Sequence, residues 1–375
     1  MTSRAASGSP PFHDFRMSLH FHPLRVKSVR PDTDDAVIVS FDVPDHVAGE
    51  FRFTQGQHLT LRHMLDGVEQ RRSYSICSGV DDGELRVGVR KVPGGVFSSW
   101  LHANLKAGDT LHVMTPEGRF FVPLAPAEAR HYVGIAGGSG ITPILSIMKT
   151  VLAAEPLSHF TLIYANRRQR STMFMEELED LKNRYLTRLV LHHVFSQEQM
   201  DSPLQTGRLT RDKLAEFLGP LIDPASIDHA FICGPHGFND EAEAALVAAG
   251  VPPEHVHVER FGIPVPAGTA PARQEARPGD APEAHVTIVR DGIAREIEFH
   301  AADGNILDAA AAAGLEVPFS CKSGVCCTCR AKLLEGEVRM ERNFALEKHE
   351  VAAGFVLTCQ SHPLTERVTL SFDER

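Results

Sequence analysis

The stretch CKSGVCCTC, residues 321–329, packs four thiols into nine residues and decides how this chain is read. Cys321, Cys326 and Cys329 form C-x4-C-x2-C, and Cys359 follows after 29 residues. That is the spacing of four thiolates around a [2Fe-2S] cluster. A zinc site would prefer two C-x2-C pairs, and only one is present. Ser323 and Gly324 are small enough for the backbone to wrap closely and aim N–H groups at the sulfurs, which stabilises an added electron. Cys327 fits no ligand slot and reads as a bystander thiol. The chain has seven cysteines, an odd number, and no export signal, so a disulfide framework is disfavoured.

A lone cluster carries one electron and does no substrate chemistry unaided, so other segments must load and unload it. The chain of 375 residues is 43% hydrophobic, enough for two or three cored domains. A net charge of −10 argues against a nucleic-acid partner and suits a protein that meets a basic one. There is no run of about 18 apolar residues, so no membrane span is expected. The opening MTSRAASGSPPFHDFRM lacks the apolar core of a secretory signal, and a cytoplasmic protein is expected. Residues 1–17 read as a disordered tail, with Met17 an alternative start.

Residues 18–127 hold short runs such as AVIVSFDV and ELRVGVRKV between Gly and Asp-Gly breaks, the pattern of a small antiparallel barrel. From 128 to 262 strand-like HYVGIA, HFTLIYAN and HAFIC alternate with helical runs, which predicts a helix-covered parallel sheet. Residues 263–284, rich in Pro, Ala and Gly, read as an extended, semi-flexible linker. Strands resume in 285–375, with an Ala-rich helix from Ile306 to Ala313 ahead of the cysteine loop. The expected fold is therefore multidomain: β-barrel, α/β domain and an α+β domain of β-grasp type.

The barrel carries RRSYSICS. In R-x-Y-S, Arg72 and Tyr74 share one strand face. A guanidinium there can bind a pyrophosphate, a tyrosine ring can pack on an isoalloxazine, and Ser73 and Ser75 flank it, with Ser75 able to reach flavin N5. Taken alone, the motif also fits an ordinary strand. GGVFSSWL adds Gly94, Gly95, Val96, Phe97 and Ser98 at a helix start, where N–H groups and a hydroxyl can cradle phosphate. The two together indicate FAD.

The second block opens with GIAGGSGITP. Gly137, Gly138, Ser139 and Gly140 lie between strand and helix, with Thr142 as expected N-cap and Pro143 at the first helical position. A dinucleotide pyrophosphate can rest there, although G-x-G-x-x-P is not the usual fingerprint. The next strand runs into Arg167, Arg168 and Arg170 with no acidic residue nearby in sequence. A 2′-phosphate wants arginine, so NADPH is expected and NADH stays possible. Cys233, Gly234 and Pro235 end a later strand where a nicotinamide would lie, unless Cys233 is a buried structural thiol. Glu259 is a candidate beside the nicotinamide and flavin, and with Ser75 and Cys233 completes the catalytic set. Cys77 reads as strand packing.

With R-x-Y-S, GGVFSS, GGSGITP, CGP and the four cysteines in this order, the chain resembles the ferredoxin–NADP reductase superfamily with a fused C-terminal plant-type ferredoxin, over about residues 18–375. More narrowly it is similar to reductase subunits of bacterial phenylacetyl-CoA epoxidases, above all in NFALEKHEVAAGFVLTCQSHPLT. The resemblance implies FAD held by Arg72, Tyr74, Ser75, Gly95, Val96 and Ser98. It implies a pyridine nucleotide at Gly138 to Thr142 and Cys233, a cluster on Cys321, Cys326, Cys329 and Cys359, and a di-iron oxygenase as partner. Relatives tend to have a small non-thiol residue at the position of Cys327. Two rivals remain: a reductase for a ring-hydroxylating or steroid-hydroxylating oxygenase, and a redox sensor.

Overall fold

The computed structural model describes residues 20–262, 274 and 276–374. The tail over 1–17 and linker residues 263–273 and 275 lie outside them.

In the first block, alternating apolar and polar residues give six antiparallel strands, because alternate side chains must bury on one face. They are β1 (Phe21–Thr33), β2 (Ala36–Asp42), β3 (His58–Leu65), β4 (Val68–Ser75), β5 (Leu85–Arg90) and β6 (Thr110–Met114), in the order β4-β3-β6-β1-β2-β5. A bridge between Ile76 and Val87 joins the two edges and closes the barrel. Asp66 and Gly67, both at positive φ, form the tight turn between β3 and β4 that a twisted hairpin favours. Leu24, Val39, Leu59, Leu61, Val87 and Val113 fill the interior. Helix α1 (Val96–Asn104) packs Phe97 and Leu101 against it.

The second block is a fully parallel sheet of β7 (His131–Gly137), β8 (His159–Asn166), β9 (Leu189–Phe195), β10 (His229–Cys233) and β11 (Val256–Glu259), in the order β11-β10-β7-β8-β9. Every residue of β7 is buried, as expected of a central strand covered on both faces. Helices α2 (Ile141–Ala154) and α3 (Met175–Arg184) contribute to one core, α4 (Arg211–Ala215) and α5 (His236–Ala248) to the other. The strand order reverses between β7 and β10, so a crevice opens at their carboxyl ends, where open α/β sheets bind ligands.

The third block is a mixed sheet of β12 (Glu283–Arg290), β13 (Ile293–His300), β14 (Arg330–Glu335), β16 (Phe355–Leu357) and β18 (Arg367–Ser371), in the order β13-β12-β18-β14-β16. A small ribbon pairs β15 (Val338–Met340) with β17 (Ser361–Pro363). Helix α6 (Ile306–Ala312) lies on the sheet, and α7 (Lys348–Ala352) follows later. The end of the expected linker is not free. Gln274 donates to the Cys359 carbonyl at 3.0 Å, Ala281 N–H to Pro363 O at 2.9 Å, and Asp280 takes two hydrogen bonds from Arg339 at 2.8 and 2.6 Å. These pairings hold it against the third block.

Candidate flavin, nucleotide and iron–sulfur sites

The cysteine loop runs from Cys321 into β14. Cys321 neighbours Cys326, and Cys329 neighbours Cys359, closely enough for each thiol to perturb the titration of its partner. A hydrogen bond with Cys326, helped by the N–H groups of Ser323 and Val325, holds the Cys321 thiol well below its usual range despite burial. Ser323 N–H lies 3.4 Å from the Cys321 sulfur, and the Gln360 amide 3.4 Å from that of Cys359. Gly324 has φ +78°, and a side chain there would press on the Arg342 carbonyl at 3.1 Å. Four converging thiols and N–H donors aimed at sulfur fit a [2Fe-2S] cluster. The Cys327 sulfur contacts the Ala345 carbonyl at 3.2 Å, and burial pushes its thiol up to about 12. Its charged neighbours are Glu350, Arg119, Glu259 and Arg330, not the four other thiols.

In β4, Tyr74 pairs with Leu59 and Arg72 with Leu61, while Ser73 pairs with Thr60 and Arg71 with Arg62. Cross-strand partners share a face, so Arg72 and Tyr74 do lie on one side. Arg72 is exposed and donates to the Arg71 carbonyl at 2.6 Å and to Gln70 at 3.3 Å. Tyr74 lies 6.2 Å from the Phe97 ring. One expectation changes here: Phe97 is buried core. Ser75 lies on the face of Ser73, so its backbone N–H rather than its hydroxyl is the group beside Tyr74. The Ser98 hydroxyl accepts from Val92 N–H at 3.1 Å, a bond that does not use its own O–H. No side chain caps α1, whose first N–H groups follow Gly94 and Gly95. An uncapped helix start and an exposed arginine fit a pyrophosphate. Half-buried Tyr74 and exposed Val96 offer apolar surface to a flavin ring.

At the β7 end, Gly138–Gly140 form a 3-10 turn that runs straight into α2. Thr142 is therefore not the N-cap: Gly140 occupies that position, and the Thr142 hydroxyl donates back to Ser139 O at 3.0 Å. Pro143 falls within the first turn rather than at its start. A side chain on Gly140 would sit 1.9 Å from the Cys233 carbonyl, which is why only glycine lets β7 and β10 close together. Gly137 packs on Gly234 and Pro235 in the same place. Tyr164 donates to Gly138 O at 2.9 Å. Cys233 is buried, with its thiol raised by burial and by Glu259, its cross-strand partner. Burial pushes the Glu259 carboxyl up to about 8, and Cys321 of the third block adds to the rise.

Arg167, Arg168 and Arg170 line a cavity of about 330 Å³ with Ser171 and Gln197, and Arg168 and Arg170 also border a larger one of about 950 Å³. The expectation of no acidic neighbour holds only along the chain. The fold brings Asp34 and Asp35 of the barrel to the smaller cavity and Glu198 to the larger, where it accepts from Gln169 N–H at 2.7 Å.

Sequence reasoning missed Arg90. It ends β5, pairs with Asp35 at 3.3 Å, donates to Ser171 O and lies against Gly138 of the nucleotide turn. Its position follows from barrel–sheet packing, and no local motif announces it.

The blocks meet. Ser73 donates to Ser320, one residue before Cys321, at 2.8 Å. Arg62 bonds Glu316 at 3.1 Å, Arg119 pairs with Glu350, and His236 meets Phe344 edge to face at 5.8 Å. Flavin motif, nucleotide crevice and cysteine loop thus share one region.

Residues 23–122 match the oxidoreductase FAD-binding domain, 135–244 the oxidoreductase NAD-binding domain, and 288–364 the 2Fe-2S iron–sulfur cluster binding domain. The chain is 46% identical to one of the subunits of the 1,2-phenylacetyl-CoA epoxidase of Escherichia coli K12, over 95% of this chain and 98% of that one. It is 35% identical to the ferredoxin reductase component of 3-ketosteroid-9-alpha-monooxygenase of Mycolicibacterium smegmatis, over 96% and 99%. Among solved structures, phthalate dioxygenase reductase aligns with a TM-score of 0.58 at 25% identity, over 94% and 98% of the two chains.

Proposed function

Because this chain belongs to the family of FAD- and [2Fe-2S]-containing oxygenase reductases, we propose that it passes electrons from NADPH to the di-iron oxygenase of a phenylacetyl-CoA epoxidase. That it is an electron-transfer oxidoreductase with FAD, pyridine-nucleotide and [2Fe-2S] domains follows from the family. FAD, when bound, would supply the conversion between a two-electron hydride donor and one-electron transfer that a [2Fe-2S] cluster requires.

The observation that carries the reading is the convergence of the three sites: Ser73 touches Ser320, and His236, just after the Cys233–Pro235 turn, meets Phe344 of the third block. Arg72 and the α1 start would bind the flavin pyrophosphate, and Tyr74 would lie on the ring. The Gly138–Gly140 turn, the α2 N-terminus and Arg90 would hold the nucleotide pyrophosphate. Cys233 and Glu259 would lie next to the nicotinamide, where burial would keep water from the hydride transfer. Arg167, Arg168 and Arg170 favour a 2′-phosphate, and hence NADPH. Cys321, Cys326, Cys329 and Cys359 would ligate the cluster. The epoxidase as customer is supported by near full-length similarity to the Escherichia coli epoxidase chain; the steroid-monooxygenase component supports a second customer of the same design. No helix among the described residues is long and apolar enough to cross a membrane.

Anaerobic titration with NADPH and then NADH tests the path. Bleaching of flavin and then cluster bands, at lower concentration with NADPH, is the expected result. No response to either nucleotide overturns the reading. Turnover with the purified oxygenase of the epoxidase, but not with a steroid oxygenase, decides the customer.

A further inference from the structure

We propose that Arg71 is a positioning residue for the electron step between the flavin site and the cluster, an inference that rests on the reading just given. In that step one electron leaves the NAD(P)H-reduced flavin and one arrives on the oxidised cluster. Its rate falls steeply with the gap between them, so whatever fixes the gap sets the rate.

Strand β4 is the wall of that gap. Its Arg72 and Tyr74 lie on one face, and Arg71 and Ser73 on the other, opposite Arg62 and Thr60. The second face meets the loop Glu316–Cys321 of the ferredoxin domain. Arg71 is only 7% exposed. Its guanidinium lies 3.9 Å over the Phe319 ring and 5.0 Å from that of Phe21, and bonds Glu69 at 2.7 Å. Phe319 stands two residues before the ligand Cys321, and Lys322 also approaches its ring, at 4.8 Å.

Bonding to Glu69 alone would not require burial: that carboxylate is on the same strand and half-exposed, so Arg71 could reach it in solvent. Phe21 of the barrel and Phe319 of the ferredoxin loop both cover the cation, and Glu316 of that loop lies 3.9 Å from it. Cation–π attraction is strongest when desolvated, as here. The neighbouring Arg62–Glu316 pair is weaker, because Glu316 is 66% exposed and solvent screens it. Arg71 therefore holds the segment Phe319–Ser320–Cys321 against the back of the flavin-motif strand.

The test compares holoprotein carrying Arg71→Met, which keeps length and apolar bulk, with Arg71→Lys and wild type. Anaerobic rapid mixing with NADPH follows flavin and cluster absorbance separately, and small-angle scattering gives the radius of gyration without turnover. In R71M the flavin is reduced at the wild-type rate, the cluster about tenfold more slowly or worse, and the radius of gyration grows; R71K recovers part of the loss. A cluster rate equal to wild type overturns the proposal, and so does equal slowing of both steps, which would make Arg71 a barrel residue only. If R71M fails to retain FAD, R71K decides on the same two rates. Failure of wild-type flavin to respond to NADPH or NADH would instead strike the functional reading, on which the scattering result does not depend.

Discussion

The hydroxyls of Ser73 and Ser320 lie 2.8 Å apart and join the strand of the flavin motif to the loop of the cluster cysteines. A contact this short leaves no room for a larger side chain. Ser73→Leu should wedge the loop away, at an overpacking cost of about 1–3 kcal/mol. Reduction of ferricyanide directly from the flavin should persist, while cytochrome c reduction through the cluster falls about tenfold. Equal loss of both activities would count against the contact as an electron-transfer junction.

The cysteines should divide cleanly. Cys326→Ser should abolish the cluster absorbance and leave FAD bound. Cys327→Ala should keep the full iron content, since the Cys327 sulfur is bonded to the Ala345 carbonyl and packed on the domain core rather than set among the ligand thiols. Its φ of +55° is already unfavourable for a side chain, so Cys327→Gly should be tolerated or stabilise by up to about 1 kcal/mol. Iron analysis and thermal melting check both.

Arg72 is exposed and bonded only to its own strand, so its removal costs little stability. A lost charge-assisted contact to pyrophosphate is worth about 1.5–3 kcal/mol. Arg72→Ala should therefore weaken FAD binding roughly ten- to hundredfold, measured by fluorescence on release, with the melting temperature of flavin-free protein unchanged.

Gly140→Ala places a methyl 1.9 Å from the Cys233 carbonyl. Neither backbone can yield without parting β7 from β10. Destabilisation of about 3 kcal/mol or more is expected, with loss of nucleotide affinity measured by titration.

Acid should destabilise the first two domains. Burial lowers His58 to about 4 and His131, helped by His159, to about 4. Both depressed values mean that the unfolded chain binds protons first. Stability is thus full above about pH 6.5 and is lost as pH falls toward 4, by at most about 3 kcal/mol per histidine. His131→Asn should flatten the decline in melting temperature between pH 7 and pH 5.

Expectations failed where a side chain had a nearer partner than the imagined ligand. Thr142 looked like a cap, but the 3-10 turn starts the helix earlier and turns its hydroxyl onto Ser139. Phe97 looked like part of the phosphate loop, but the barrel core claims it. The end of the Pro-rich linker looked free, but Asp280 meets Arg339 there. Composition cannot reveal such pairings.

What the sequence determined by itself is local. The cysteine spacing, the glycine turn after β7 and the R-x-Y-S alternation each depend on the geometry of a few consecutive residues, so they could be read without the fold. The tertiary structure decided which side of β4 meets which domain, that Arg90 reaches the nucleotide turn, that Asp34 and Asp35 temper the arginine loop, and that Arg71 is buried under Phe319. Those contacts join residues far apart along the chain, Ser73 and Ser320 by 247 positions. Their partners are chosen by packing and burial across domains, which no local pattern encodes.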